Sequence, residues 1–240
     1  MPNEISLRKT SLVDYPGRVS SVFFFAGCNL RCPWCHNRDL ILGGGKEALV
    51  SLDEGLAHLQ KRKKVLGGVV LSGGEPCIQD ILPSLIAEIK KIPLPVKLDT
   101  NGTLPAMLEK LFHREETCPD YIALDLKTAP SRYRELLPPG FAEGNAGNDP
   151  GNALAESAAL IRASGIPHEY RSLSLPCGFF TEKDLEALAV LADDSPWRFR
   201  PFRGGGCLDP AWDGLEASMI TAGALAEMAR KLGKNATAPE

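Results

Sequence analysis

Six short runs rich in β-branched and aromatic residues recur along the chain with helical segments between them, and this alternation limits the fold more than any other feature. The runs are Val19 to Phe25, Gly68 to Leu71, Val96 to Asp99, Tyr121 to Leu126, Glu169 to Leu173 and Arg198 to Phe202. Strand and helix alternate, so the sheet is expected to be parallel. The helices carry recognisable starts. Ser51 with Glu54, and Thr181 with Asp184, stand at capping-box spacing, and Leu185, Leu188 and Leu191 then form an apolar stripe. Six units are too few to close an ordinary eight-fold barrel. The pattern leaves two α/β architectures open, a doubly wound sheet and an incomplete barrel.

A chain of 240 residues can fill one core, so a single domain over 1-240 is expected. Within it the core runs from about 17 to 210, and an Ala/Leu-rich stretch, about Ala217 to Leu232, reads as a C-terminal covering helix over roughly 215-233. The Gly- and Asn-rich stretch Pro138 to Asn152 cannot bury much apolar surface and reads as a mobile loop before a helix at Ala153 to Ala163. With 27 basic and 30 acidic residues, the net charge of -3 leaves no basic stretch that asks for phosphate backbone, so nucleic acid is not an expected partner. The opening MPNEISLRKT has no apolar core with a cleavage site, and nowhere do about 18 apolar residues run together. A cytoplasmic protein without a membrane partner is expected.

Seven cysteines are present, and three of them crowd into eight residues in GCNLRCPWCHN. An odd count without a visible leader argues against a disulfide framework and for a metal site in a reducing compartment. The spacing C-x3-C-x2-C lets Cys28, Cys32 and Cys35 converge from one loop. Three thiolates rather than four would leave one iron of an iron-sulfur cluster open to a substrate. The alternative is a structural zinc site with His36 as fourth ligand, but adjacent residues such as Cys35 and His36 rarely reach the same metal. Cys77, Cys118, Cys177 and Cys207 are scattered singly and read as small apolar packing residues.

This C-x3-C-x2-C spacing, with aromatic Trp34 just before its last cysteine, resembles the signature of the radical S-adenosylmethionine (SAM) superfamily. The resemblance implies a 4Fe-4S cluster on Cys28, Cys32 and Cys35. It also implies that the open iron binds the amino and carboxylate groups of SAM, and that an electron from the cluster breaks the S-C5' bond to give a 5'-deoxyadenosyl radical. It further implies an incomplete (β/α)6 TIM-like barrel of parallel strands as the fold. Trp34 would shield the cluster from water.

The ends of the later strands carry matching motifs. LSGGEP, Leu71 to Pro76, follows the second strand, where Gly73 and Gly74 allow close backbone approach to a ligand and Glu75 offers a carboxylate; the bland reading is a tight turn. In the family this GGEP motif receives the SAM ammonium group. The third strand ends in DTNG, Asp99, Thr100, Asn101 and Gly102, and the fourth in LDLK, where Asp125 and Lys127 are i and i+2 and point to one face. The chain resembles glycyl-radical-enzyme activases, in which the matching lysine contacts the SAM carboxylate. The residues matching Asp99 and Asp125 lie there by the ribose or a monovalent cation. Arg171 in EYRSLSLP matches an arginine that reaches the SAM site; the bland reading pairs it with Glu169 on an exposed face. The sixth strand, RFRPFRGGGCLDP, departs from a family pattern that often has glutamine where Arg198 or Arg200 stands. All these groups fall at C-terminal strand ends, where parallel barrels assemble their sites.

The segment Thr10 to Asn37 resembles the opening of activating proteins for anaerobic ribonucleoside-triphosphate reductase, and also of pyruvate formate-lyase activating enzymes. The resemblance implies an oxidoreductase that takes hydrogen from a backbone glycine of a partner enzyme, served by a flavodoxin- or ferredoxin-like electron donor. Three other readings stay open: a radical SAM enzyme acting on a small molecule, a peptide or RNA; an activase with a different partner; and a non-catalytic zinc or electron-transfer module.

Overall fold

The computed structural model describes residues 4-43, 49-140, 149-216 and 220-239. The chain gathers into two compact units, each drawing on more than one chain segment. The first comprises Met1–Cys28, Asp39–Thr100 and Ala106–Ile122, and the second Asn29–Arg38, Asn101–Pro105 and Ala123–Glu240.

In the first unit the sheet order is β3-β1-β2-β4-β5, with β1 Glu4–Tyr15, β2 Arg18–Phe25, β3 Leu49–Ser51, β4 Gly68–Gly73 and β5 Val96–Thr100. β1 and β2 form an antiparallel hairpin through Pro16 and Gly17, the latter at φ 70°, as a tight turn with Pro then Gly requires. β3 adds antiparallel to β1, while β2, β4 and β5 run parallel, with Ser20 opposite Gly68 and Val69 opposite Val96. Phe23, Val69, Val70, Leu71, Val96 and Leu98 are fully buried, as expected of parallel strands covered on both faces. The short helix α1 (Arg38–Leu42) follows the cysteine loop. Three longer helices flank these strands: α2 (Leu52–Arg62), α3 (Leu82–Lys90) and α4 (Pro105–Phe112). α2 starts at the expected capping box: Ser51 Oγ accepts from Glu54 N, and Glu54 Oε2 accepts from Ser51 N at 2.8 Å. Such a cap contributes about 1 kcal/mol.

In the second unit the order is β6-β7-β8-β9, with β6 Tyr121–Asp125, which begins in the first unit, β7 His168–Ser174, β8 Trp197–Pro201 and β9 Ala236–Thr237. β7, β8 and β9 pair in parallel, Tyr170 opposite Trp197 and Trp197 opposite Ala236. The helices are α5 (Pro150–Ser164), α6 (Glu182–Ala189) and α7 (Ala222–Lys231). α6 carries the second expected capping box, with Asp184 Oδ2 accepting from Thr181 N at 2.8 Å. Leu185 and Leu188 of the expected stripe are buried; Leu191 lies beyond the helix.

The six expected strands are all present, each within two residues of its predicted bounds. The hairpin strand β1 and the short β3 and β9 were not foreseen. The C-terminal covering helix is α7, which starts later than Ala217; residues 217-219 lie outside the described residues, as do 141-148 of the expected loop Pro138 to Asn152. α5 begins at Pro150, where the Asp149 side chain accepts from Gly151 N and Asn152 N. The last part of the expected loop is therefore helix.

Candidate active site

In the first unit the end of β4 is built around the chain that leads to Cys28. Gly74 N donates to Phe25 O and Glu75 N to Gly27 O, each at 2.9 Å. A Cβ at Gly73 (φ 120°) would fall 2.3 Å from Phe25 N, and one at Gly74 would fall 1.8 Å from Gly27 O. No side chain fits at either position. The GG pair was expected to admit a ligand; its close approach here is to the protein itself, and it fixes the residue before Cys28.

Glu75 is almost fully buried. Its Oε1 accepts from Cys77 N at 3.0 Å and from Thr100 Oγ1 at 2.8 Å, and so ties the motifs of β4 and β5 together. Burial, then the nearby Glu75 carboxylate, pushes the Cys77 thiol well above its ordinary range, in keeping with a packing role. Asp99 accepts from Lys97 and, at 3.1 Å, from Ser72. Lys97 is only 1% exposed and was missed by sequence reading. The signal was available: Lys97 and Asp99 stand i and i+2, the spacing of Asp125 and Lys127, although β6 ends at Asp125 and Lys127 lies just beyond it.

In the second unit Asn101 braces the cysteine loop. It donates to Asn29 Oδ1 at 2.9 Å and accepts from Thr103 N at 2.9 Å, while Asn29 donates to Thr103 Oγ1 at 2.7 Å. Cys35 N donates to Cys32 O at 3.0 Å, which turns the loop between these two cysteines. Cys32 is buried, Cys28 and Cys35 are partly exposed, and Trp34 is buried with Phe179 at 4.8 Å and Trp212 at 5.4 Å. His36 Nε2 donates to the Arg203 carbonyl at 2.7 Å, so one ring nitrogen of the residue considered as a fourth zinc ligand is engaged by backbone.

A cavity of about 180 Å³ in the same unit is lined by Trp34, Asp125, Lys127, Arg171, Arg200 and neighbouring backbone. Asp125 Oδ1 accepts from Arg171 Nε at 2.7 Å and Oδ2 from Lys127 Nζ at 3.2 Å. Burial by itself would raise the Asp125 carboxyl, but the Arg171 guanidinium and then Lys127 hold it well below the usual carboxylate range. Burial disfavours the Lys127 ammonium, and Asp125, followed by Cys32, Tyr133 and Cys35, raises it well above the usual range. A cation thus sits within electrostatic reach of two cysteines of the triad. The buried Tyr133, also unforeseen, links the two ends of this motif: it accepts from Lys127 N at 3.1 Å and donates to Asp125 O at 3.2 Å.

The exposed-face reading of Arg171 is corrected: Arg171 takes Asp125, and Glu169, itself buried, takes Arg198. Of the two arginines at the departure in β8, Arg198 is thereby paired and Arg200 lines the cavity. Among the described residues no three His, Cys, Asp or Glu side chains are gathered to hold a single metal ion.

Residues 22–192 match the family model of the radical SAM superfamily. The chain belongs to that superfamily. A relative from Methanocaldococcus jannaschii, described as a "putative glycyl-radical enzyme activating enzyme", is 30% identical over 77% of this chain and 72% of its own length. The pyruvate formate-lyase-activating enzyme of Clostridium pasteurianum is 34% identical over 51% of each chain. Among solved structures, Streptococcus suis SuiB bound to S-adenosylmethionine superimposes with a TM-score of 0.62 at 13% identity, over 91% of this chain and 52% of SuiB. The chain thus spans about half the length of the Clostridium relative and of SuiB. The α/β fold with a mostly parallel sheet is that of the superfamily, whose core is the incomplete barrel expected from the sequence. Among the described residues no helix is long and apolar enough to cross a membrane.

The residues present fit the cluster that this superfamily implies. Three thiols follow one another within eight residues of chain, Cys32 and Trp34 are buried, and Cys32 and Cys35 are among the groups that favour the Lys127 ammonium.

Proposed function

We propose that this protein is a glycyl-radical-enzyme activase, in which Cys28, Cys32 and Cys35 hold a 4Fe-4S cluster and the strand-end residues hold SAM. When bound, the cluster supplies the electron that cleaves SAM, and the resulting 5'-deoxyadenosyl radical takes a hydrogen atom from a backbone glycine of the partner. One observation carries the reading: the cavity beside Trp34 in which Asp125, Lys127 and Arg171 are tied together, with Lys127 under the influence of Cys32 and Cys35.

The residues of the chain position rather than react. Lys127 offers its ammonium to the SAM carboxylate, and Asp125, kept ionised by Arg171, faces the ribose hydroxyls. The resemblance to the family also carries Gly73, Gly74, Glu75, Asp99, Thr100 and Asn101 to SAM binding; within the first unit Glu75 and Thr100 are tied together, and within the second Asn101 holds Asn29 of the cysteine loop. No acid or base is needed for a hydrogen-atom transfer, and Asp125 and Lys127 are each held in the charged form by the other and, for Asp125, by Arg171. A monovalent cation gains no support, because Asp125 already meets two protein cations and Asp99 meets Lys97. The match over residues 22–192 runs through both compact units and supports one functional domain.

The glycine target rests on the likeness to the Methanocaldococcus relative over most of its length, and to the Clostridium enzyme. Anaerobic ribonucleotide reductase is the first candidate partner, on the resemblance of Thr10 to Asn37; pyruvate formate-lyase is the second. A flavodoxin- or ferredoxin-like donor in the cytoplasm supplies the electron. The test is anaerobic mixing of the cluster-loaded protein, SAM, a reductant and each candidate partner, followed by electron paramagnetic resonance. A glycyl doublet is expected with one partner. SAM cleavage without a doublet from any of them would move the reading to a small-molecule, peptide or RNA substrate.

A further inference from the structure

The segment after β8, Phe202 to Asp213, makes none of the SAM contacts proposed above, though Phe202 and Cys207 are buried. It lies along the cysteine loop. Asp209 N donates to Pro33 O at 3.0 Å, and the Arg203 carbonyl accepts from His36 at 2.7 Å. The two bonds fasten Arg203 and Asp209 to His36 and Pro33, residues on either side of Cys35. The rings close the same seam. Trp212 meets Trp34, Phe179 and Phe202 at 5.4, 5.7 and 6.0 Å between centroids, and Phe202 stacks on His36 at 6.4 Å.

The segment is also tied to itself. Cys207 N donates to Asp213 Oδ1 at 2.7 Å, and Gly204 passes so near the other limb that a Cβ there would lie 2.5 Å from Asp213 O. Cys207 is fully buried in this ring. Burial, followed by Asp213, pushes its thiol upward.

We propose that Phe202 to Asp213 is a clamp on the cysteine loop: it holds Trp34 and Cys35 in place, keeps water and dioxygen from the cluster edge, and so sets the lifetime of the bound cluster. This rests on the reading of the loop as a cluster site. Trp212 and Gly204 are positioning residues in it, since Trp212 touches Trp34 and Gly204 lets the clamp close on itself. Ligand loops held by such outer contacts lose metal when those contacts are cut.

The test uses the full chain, reconstituted anaerobically with iron and sulfide and then exposed to air while the visible absorbance of the cluster is followed. Trp212→Ala and Gly204→Ala should bleach about tenfold faster than the wild type, with an altered electron paramagnetic resonance line shape of the reduced cluster. Trp212→Phe, which keeps an aromatic face, should restore most of the lifetime. Gly204→Ala decides the matter alone should Trp212→Ala prove insoluble. Bleaching and line shape equal to wild type in both variants would overturn the clamp while leaving the cluster assignment intact. A wild-type chain that assembles no cluster would overturn both.

Discussion

Two places in the chain, β5 in the first unit and the end of β6 with the residues after it in the second, carry a lysine and an aspartate two residues apart and put them to different uses. On β5, Lys97 and Asp99 are both buried, and with Ser72 they form a closed brace. At the end of β6, Asp125 and Lys127 are partly exposed, joined by Arg171, and line a cavity. A charge pair that is sealed serves mainly the fold, because removing one member strands the other away from water. A pair that borders a cavity keeps its charge available to a ligand.

Breaking the sealed pair should therefore show first in stability. Lys97→Met leaves the Asp99 carboxylate buried without its cation and is expected to cost about 3 to 5 kcal/mol in urea unfolding. Asp125→Asn should behave in the opposite way, with a smaller loss of stability and a larger loss of ligand. Removing a charged hydrogen-bonding group is expected to weaken SAM binding by about 2 kcal/mol, roughly thirtyfold, in calorimetry of the cluster-loaded protein. Equal stability losses in the two variants would erase the distinction.

Acid sharpens the comparison. The Asp125 carboxyl is held below its ordinary value in the folded protein, so it contributes stability above the unfolded-state value of about 4 and loses it progressively as the pH falls further. The stability difference between wild type and Asp125→Asn should be full near neutrality and shrink below about pH 4. A difference independent of pH would mean that the charge of Asp125 is not what matters. The smallest effect is expected at Cys118→Ala, outside both pairs, which should leave SAM cleavage unchanged and shift stability by about 0.5 kcal/mol or less.

Much of this was legible in the sequence where the signal is local. The six strands showed as β-branched runs, and the two capping boxes formed as their spacing indicated. β1 stayed hidden because its register shifts between Arg8 and Ser11 and again between Ser11 and Tyr15, which destroys the period of two that marks a strand. β3 and β9 are too short to carry any pattern. At the site, the triad and the strand-end motifs were read by resemblance, whereas the pairings that hold them in place were not. Asn29 meets Asn101 across 72 residues of sequence, and Arg171 meets Asp125 across 46, so no local pattern announces either pairing. The two glycines of LSGGEP could be seen as a place of close approach, but only the fold shows that Phe25 approaches Gly73 and that Gly27, next to Cys28, approaches Gly74.

The most direct test of radical SAM chemistry at this cysteine loop is the product of SAM itself. The protein reconstituted anaerobically with iron and sulfide, then given SAM and a strong reductant, should release 5'-deoxyadenosine, and alanine at Cys28, Cys32 or Cys35 should abolish it. A fully loaded wild-type preparation that forms no 5'-deoxyadenosine, or a Cys32→Ala variant that still forms it, would contradict the account.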